Sequence, residues 1–390
     1  MNDEAAIGSK PNSKRETLTY SALSKFRNCR RAYRHRYVDE LSQKDKGEAL
    51  WVGSAFHDAL HVGYLEREQG KSRDEALEGA LRWMDAGPLL GANADPALQG
   101  RRDLLRAMVR NYEYRWREER PEDSVPDSAL EEIAKEMPFV LPIRNPETGR
   151  QSMTFQLAGK VDGIVRFQDQ LFILEHKTAA TISGDYLARL WADFQSQIYA
   201  ASISELLGEP VVGVIYDVTA KARLKRKKGE TSEEFAERIA GYKTEKTKKK
   251  HLEIGPKQDE TEEQISARLD AWYQNPDAFV RELIYFDADT LANVKVEIWE
   301  LTQQILDARR RDRWGQNTTQ CYAFGSCAYA PICRNHGKID ETVEIYYEKK
   351  ASHEELREVL PAGYSPSGDD IFAELDKIEA SQDSGRDLAF

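Results

Sequence analysis

The succession of hydrophobic periods along this chain predicts an α/β fold, a mixed central sheet flanked by helices, with additional helical segments before and after it. Three observations predict it. Residues 19–41, 54–66, 73–84 and 101–117 space their apolar side chains three and four apart, the period of a helix with one buried face. From Met137 the pattern changes to strands separated by turn residues. The run from Leu171 to Leu174 is then apolar at every position, as in a central strand covered on both faces.

Each element follows in order. Residues 1–17 are polar and are expected to be disordered. The helix over 19–41 carries Leu23, Phe26, Tyr33 and Tyr37, with Ser21 as the expected N-cap. The helix over 54–66 buries Phe56, Leu60, Tyr64 and Leu65. MPFVLPI, a turn at 145–149, and SMTFQLAGKVDGIVRF form a hairpin, and a tight connection at 168–170 leads into LFILEHK. Helical spacing returns over 191–207, and PVVGVIYDV is a further buried strand.

Residues 220–256 are charged and poor in apolar side chains, which reads as a mobile basic insertion. Helices resume over 261–272 and 290–311, VEIYYEKK is an expected edge strand, and residues 339–390 form an acidic tail. Residues 18–338 are thus expected to be one domain. Its parts are a helical region of about 54–135, a catalytic core of about 136–218, the insertion, and C-terminal helices with a cysteine cluster from about 260 to 338.

Of the 390 residues 40% are hydrophobic, enough for one large core or two ordinary ones. The chain shows no run of about 18 apolar residues and no apolar leader, so no membrane association and a cytoplasmic location are expected. A net charge of -11 argues at first sight against a polyanionic partner. The charge is segregated, however, with acids concentrated after Asp340 and bases at 220–228 and 243–250, so a local phosphate-binding groove stays open beside the plainer account of solvated surface. No GxxxxGK[ST] loop is present, so the chain carries no recognisable helicase motor.

The chemistry concentrates on two neighbouring strands. Asp162 lies near the middle of one, and Glu175 and Lys177 lie at the end of the next, sharing a face because they are two residues apart. Two carboxylates and an ammonium suit phosphodiester hydrolysis: hard oxygen ligands hold Mg2+ or Mn2+, and the lysine orients the attacking water and stabilises charge on the phosphate. A strand-end ion pair between Glu175 and Lys177 would account for the triplet alone.

The segment GKVDGIVRFQDQLFILEHK resembles the G-x-x-D and (D/E)-x-K motifs of RecB/AddB-like PD-(D/E)XK nucleases. Upstream, GSAFHDAL resembles the helix whose histidine, here His57, joins the metal shell in that family and its CRISPR-associated relatives. Downstream, FQSQIYAASI resembles the Q-x-x-x-Y helix, here Gln195 and Tyr199, one turn apart on one face, which supports the site and contacts substrate. The resemblance implies a restriction-endonuclease-like core with Asp162, Glu175, Lys177, Gln195 and Tyr199 in the catalytic site. It also implies a metal shell of His57, Asp162, Glu175 and the backbone carbonyl of His176.

The chain has four cysteines, Cys29, Cys321, Cys327 and Cys333, a full set for one [4Fe-4S] cluster or one all-thiolate zinc site. A C-x2-C knuckle is absent, and Cys29 begins CRRAY, which resembles the C-P-x-x-Y motif of iron-stapled nucleases with Arg30 in place of proline. The resemblance implies an iron-sulfur staple across Cys29 and the C-terminal trio, although five residues rather than the usual two separate Cys321 from Cys327. It further implies a DNA exonuclease acting on single strands or ends in recombination, repair or phage/CRISPR-type processing, with a helicase or recombination protein as partner. The rival expectation is a catalytically weak DNA-binding subunit of a helicase-nuclease complex.

Overall fold

The computed structural model describes residues 15–44, 48–87, 98–117, 119–121, 123–323, 325–335 and 339–353. Its strands are β1 (Glu16–Leu18), β2 (Leu41–Gln43), β3 (Glu131–Arg144), β4 (Gln151–Phe167), β5 (Gln170–Ala179), β6 (Val211–Ala220), β7 (Phe279–Tyr285) and β8 (Tyr347–Lys349). Its helices are α1 (Tyr20–Asn28), α2 (Arg30–Tyr33), α3 (Glu48–Glu68), α4 (Arg73–Ala86), α5 (Gln99–Arg115), α6 (Gly184–Leu187), α7 (Phe194–Leu207), α8 (Ser232–Ala240), α9 (Glu245–Ile254), α10 (Glu262–Tyr273), α11 (Ala288–Arg311), α12 (Ala330–Arg334) and α13 (Ile339–Tyr346).

The long hairpin β3–β4 anchors a six-stranded sheet that continues through β5, β6 and β7. The edge of β4 away from β3 carries β1 in parallel and then β5 antiparallel; β5 pairs with β6 in parallel and β6 with β7 antiparallel, so the sheet is mixed as expected. A two-residue turn at Gln168 and Asp169, both with positive φ, reverses the chain between β4 and β5. One core packs the sheet against α1, α7 and α11 through Phe155, Ile173, Ile198, Val214 and Ile305. A second core joins α3, α4, α5 and α10 around Phe56, Leu105, Met108 and Leu269.

Several expectations are corrected. Thr19, not Ser21, caps the first helix, its Oγ1 accepting from Ala22 N at 3.3 Å. The expected helix over 19–41 breaks at Cys29, whose φ of -160° is extended, and ends in a wide π turn over Arg34–Val38 before β2. Disorder is expected over 1–17; residues 1–14 lie outside those described, and at 16–17 the expectation fails, because β1 joins the sheet there and Glu16 pairs with Arg309 at 2.5 Å. VEIYYEKK divides: Val343–Tyr346 end α13, and Tyr347–Lys349 form a short strand against β2, so the fold runs into the expected acidic tail; residues beyond 353 lie outside those described.

The supposed mobile insertion at 220–256 contains α8 and α9. Its structure rests on polar pairing rather than apolar burial: Arg226 binds Asp103 at 2.6 and 2.8 Å, Arg238 binds Glu230 at 2.6 Å, and Tyr242 stacks on His251 at 4.6 Å between ring centres. The strand β7 has no counterpart in the sequence reading.

Beyond α1, the segment from Arg31 to β2 meets the segment from Gly315 to β8. Arg36 donates to the carbonyls of Lys350 and Ala351 at 3.0 and 3.1 Å, Tyr329 OH to Leu41 O at 2.9 Å, and Arg31 N to Gly315 O at 3.1 Å. A small apolar cluster of Ala32, Leu41, Tyr329, Ile332 and Tyr347 fills this lobe.

Candidate active site

The pairing of β4 with β5 ends at Gly163 and Leu174, and the side chain of Asp162 takes over from the ladder: Asp162 Oδ2 accepts from the amide of His176 at 2.9 Å. The same oxygen meets His57 Nδ1 at 3.3 Å. Strand alternation then sends Glu175 and Lys177 to one face and His176 to the other. Lys177 Nζ donates to Glu175 Oε1 at 2.8 Å and to Gln195 Oε1 at 3.0 Å, and it lies 3.5 Å from Asp193 Oδ2. Gln195 Nε2 in turn donates to Tyr199 OH at 3.2 Å.

Two close approaches place the helices. A Cβ at Gly159 would lie 2.7 Å from the Phe139 ring and 3.0 Å from that of Tyr199, so the glycine of G-x-x-D lets α7 press onto β4. Gly53 likewise brings α3 against Thr178, where a Cβ would lie 3.3 Å from its hydroxyl. One turn further on, His57 reaches Asp162, and the i, i+4, i+7 stripe continues with His61 at 3.6 Å from Glu136 and Tyr64 OH at 3.1 Å from His176 Nε2.

Burial and charge act against each other here. Burial disfavours a charge on His57, but the Asp162 carboxylate outweighs it and holds the imidazole at about 9. Burial would raise Asp162, yet His57 and the amide of His176 hold it well below the usual carboxylate range. Glu175 is 3% exposed, and burial, opposed by Lys177 and reinforced by Asp162, pushes its carboxyl up to about 7. Burial opposes charge on Lys177, and Glu175 and Asp193 overcome it, raising the ammonium's pKa. Glu175 Oε2 is buried without a hydrogen-bond partner, a costly state for a carboxylate unless a cation or donor meets it.

The structure therefore joins His57 to Asp162 and joins Glu175, Lys177, Gln195 and Tyr199 through hydrogen bonds. Among the described residues, no three His, Cys, Asp or Glu side chains form a ready metal-holding group, so neither His57, Asp162 and Glu175 nor the four cysteines stand as a preassembled shell. His176 offers its amide to Asp162 and its ring to Tyr64, and its Nδ1 is buried without a partner.

Sequence reading missed the layer behind the site. Asp217, fully buried on β6 beside His176, accepts from Tyr112 OH at 3.0 Å and from Arg281 Nε at 2.9 Å; Arg281 Nη2 also reaches Asp127 at 2.8 Å. An aspartate inside the apolar run PVVGVIYDV was the available signal. Glu136 was missed too: with φ of 47° it sits between the pairs Lys135–Gly163 and Met137–Val161, opposite Asp162, and contacts Lys160 and His61. Only His61, one turn after His57, hinted at it.

Some 290 residues of chain separate Cys29 from the other three cysteines, yet all four line one cavity of about 20 Å3 together with Ala32, Gln316 and Tyr329. Backbone amides point at two of the sulfurs, Asn317 N at 3.4 Å from Cys29 Sγ and Tyr329 N at 3.5 Å from Cys327 Sγ. Gln316 Nε2 lies 3.6 Å from Cys321 Sγ. Burial pushes the Cys333 thiol up, with Arg31 acting in the other direction. No cysteine is in a disulfide.

The sequence model of the PD-(D/E)XK nuclease superfamily matches residues 17–334, most of the chain. The chain belongs to that superfamily. Among curated proteins none matches it. Members of the superfamily are phosphodiester hydrolases that typically use Mg2+ or Mn2+, and the mixed sheet flanked by helices fits their fold. No helix among the described residues is long and apolar enough to cross a membrane.

Proposed function

We propose that this nuclease is a RecB/AddB-like DNA exonuclease that digests single strands or DNA ends through one divalent cation, with Asp162, Glu175 and Lys177 at its centre. The observation that carries this reading is the buried, unpartnered Glu175 Oε2 beside Asp162 and Lys177. An all-oxygen pair of carboxylates suits Mg2+ or Mn2+, and an orphaned carboxylate oxygen is accounted for by a cation. Asp162, Glu175, the carbonyl of His176 and the imidazole of His57 are the groups that would hold it. A cation held there would supply Lewis-acid polarisation of the scissile phosphate and a lowered pKa for the attacking water.

The chain's own residues do the rest. Lys177, kept protonated and aimed by Glu175, Gln195 and Asp193, donates to the phosphate oxygen that gains charge. Tyr199 fixes Gln195, and Gln195 fixes Lys177. His57 must give up its proton to ligate. Basic side chains at 220–228 and 243–250 suit the backbone of the incoming strand.

The four cysteines around one cavity, with backbone amides directed at the sulfurs of Cys29 and Cys327, suit a [4Fe-4S] cluster acting as a staple between Cys29 and the segment 321–333. Recombination, repair or phage/CRISPR-type DNA processing alongside a helicase or recombination protein is the matching role.

The test is cleavage of end-labelled single-stranded, duplex and closed circular DNA by anaerobically purified protein with Mg2+ and with Mn2+. Linear strands should be consumed and circles spared. Asp162→Ala, Glu175→Ala and Lys177→Ala should each lower the rate at least about a hundredfold. Undiminished cleavage by these variants would overturn the assignment, and no cleavage by the wild type would favour a DNA-binding subunit. Brown protein containing iron supports the cluster; colourless protein containing zinc replaces it with a zinc staple.

A further inference from the structure

Trp191 is 64% exposed, the most exposed of the large aromatic side chains among the described residues. Isolated apolar side chains on a surface are ordinary. This one differs in where it sits and how firmly it is held. It belongs to the 3-10 turn Leu190–Ala192 that leads into α7, two residues before Asp193. Two residues of chain span at most about 7 Å, so the Cα of Trp191 lies within that distance of the Cα of Asp193, whose carboxylate is 3.5 Å from Lys177 Nζ.

The turn is fixed on both sides of the ring. Leu190 is buried and its carbonyl accepts from Tyr216 OH at 3.3 Å; Tyr216 OH also reaches Asp193 Oδ2 at 3.2 Å and Ser196 Oγ at 2.7 Å. The carbonyl of Trp191 itself accepts from Gln197 Nε2 at 3.1 Å. Exposed Arg189 stands two residues away on the same turn, its Nε bound to Asp185 O at 3.0 Å. A backbone held by these bonds thus carries a solvent-exposed indole two residues from Asp193, with exposed Arg189 two residues to its other side. That is the composition of a stacking platform for unpaired bases, which grips any base through its face and has no use for a base already inside a duplex.

We propose that Trp191 stacks on a nucleobase of the unpaired strand beside the scissile phosphate and thereby selects single-stranded or frayed DNA. The proposal rests on the nuclease reading above and deepens it.

Two measurements separate the two claims. The first is binding of a fluorescently labelled thymidine oligonucleotide in EDTA, where nothing is cut, to wild type, Trp191→Ala and Trp191→Phe, with an abasic strand of equal length as the comparison. Trp191→Ala should weaken binding of the intact strand about 5- to 150-fold, Trp191→Phe should restore most of it, and the abasic strand should bind wild type and Trp191→Ala alike. The second is steady-state cleavage of the same strands with Mn2+, where the loss in Trp191→Ala should fall on KM more than on kcat and be larger for single strands than for blunt duplex. Intact-strand binding within about twofold of wild type, or an equal loss on the abasic strand, would overturn the platform. Failure of the wild type to cut any DNA would remove the nuclease reading alone, since binding in EDTA reads the stack directly.

Discussion

Loading the site with a cation should expel protons in a number set by its two displaced pKa values. At pH 7 a Glu175 carboxyl at about 7 is half protonated, and a His57 imidazole at about 9 is almost wholly protonated. Asp162, held low by His57, has no proton to give. If the cation takes both Glu175 and neutral His57, about 1.5 protons leave per ion at pH 7, about 1.9 at pH 6 and about 1.0 at pH 8. The apparent affinity should therefore fall as the pH is lowered, by about tenfold to a hundredfold for each unit across this window. Isothermal titration with Mn2+ in buffers of different ionisation enthalpy reads the proton count directly. His57→Gln should reduce it by about half to one proton at pH 7, because that imidazole is then absent while Glu175, freed of its positive neighbour, holds its own proton more fully. Release of less than about half a proton at pH 7, or a count unchanged in His57→Gln, would refute a cation shared by Glu175 and His57.

The metal-free protein should become less stable as pH rises. Glu175 and His57 both hold their protons more tightly folded than unfolded, so their contribution declines through about 4.5 to 7 for the carboxyl and about 6.5 to 9 for the imidazole; buried His35 and His176 act in the opposite sense up to about 6.5, so a Tm in EDTA that is flat or rises across about pH 7 to 9 would contradict this. Arg281→Ala should cost about 3–5 kcal/mol in urea unfolding, since it strands buried Asp217 without its cation. Gly159→Ala should cost about 1–3 kcal/mol and slow cleavage, because its methyl displaces Phe139 or Tyr199; full activity would show that α7 tolerates a shift. Cys29→Ser should strip the metal from the cysteine lobe and lower Tm while leaving far-ultraviolet dichroism largely intact, and iron content unchanged from wild type would argue against that cysteine as a ligand.

Local periodicity made much of the sheet legible. The alternation of β3 and β4, the apolar run of β5 and the shared face of Glu175 and Lys177 follow from spacing two residues apart. The union of His57 with Asp162 does not, since 105 residues separate them and only the order of motifs linked them. β7 escaped notice because Arg281 interrupts FVRELIY where an apolar residue would mark a strand, and its burial depends on Asp217, Asp127 and the Trp116 face, 3.7 Å from the guanidinium. The end of α13 was read as strand because VEIYY is β-branched and aromatic, while Asp340 and Glu341 in the helix's first turn favour helix there. Basic residues at 220–256 looked unstructured because pairing partners such as Asp103 lie far off in sequence.

The meeting of Arg31, Arg36 and Leu41 with Gly315, Tyr329, Lys350 and Ala351 also sets an order of assembly during translation. Arg31, Arg36 and Leu41 find these neighbours only among residues made some 280 or more positions later, so this lobe cannot close until that later stretch has left the ribosome. The hairpin of β3 and β4, local and long, is free to form early; the union of residues 31–41 with residues 315–351 comes later, once both stretches exist. Truncated products ending before Arg309 would carry both carboxylates yet lack the clasp, and quality control would meet them as open chains.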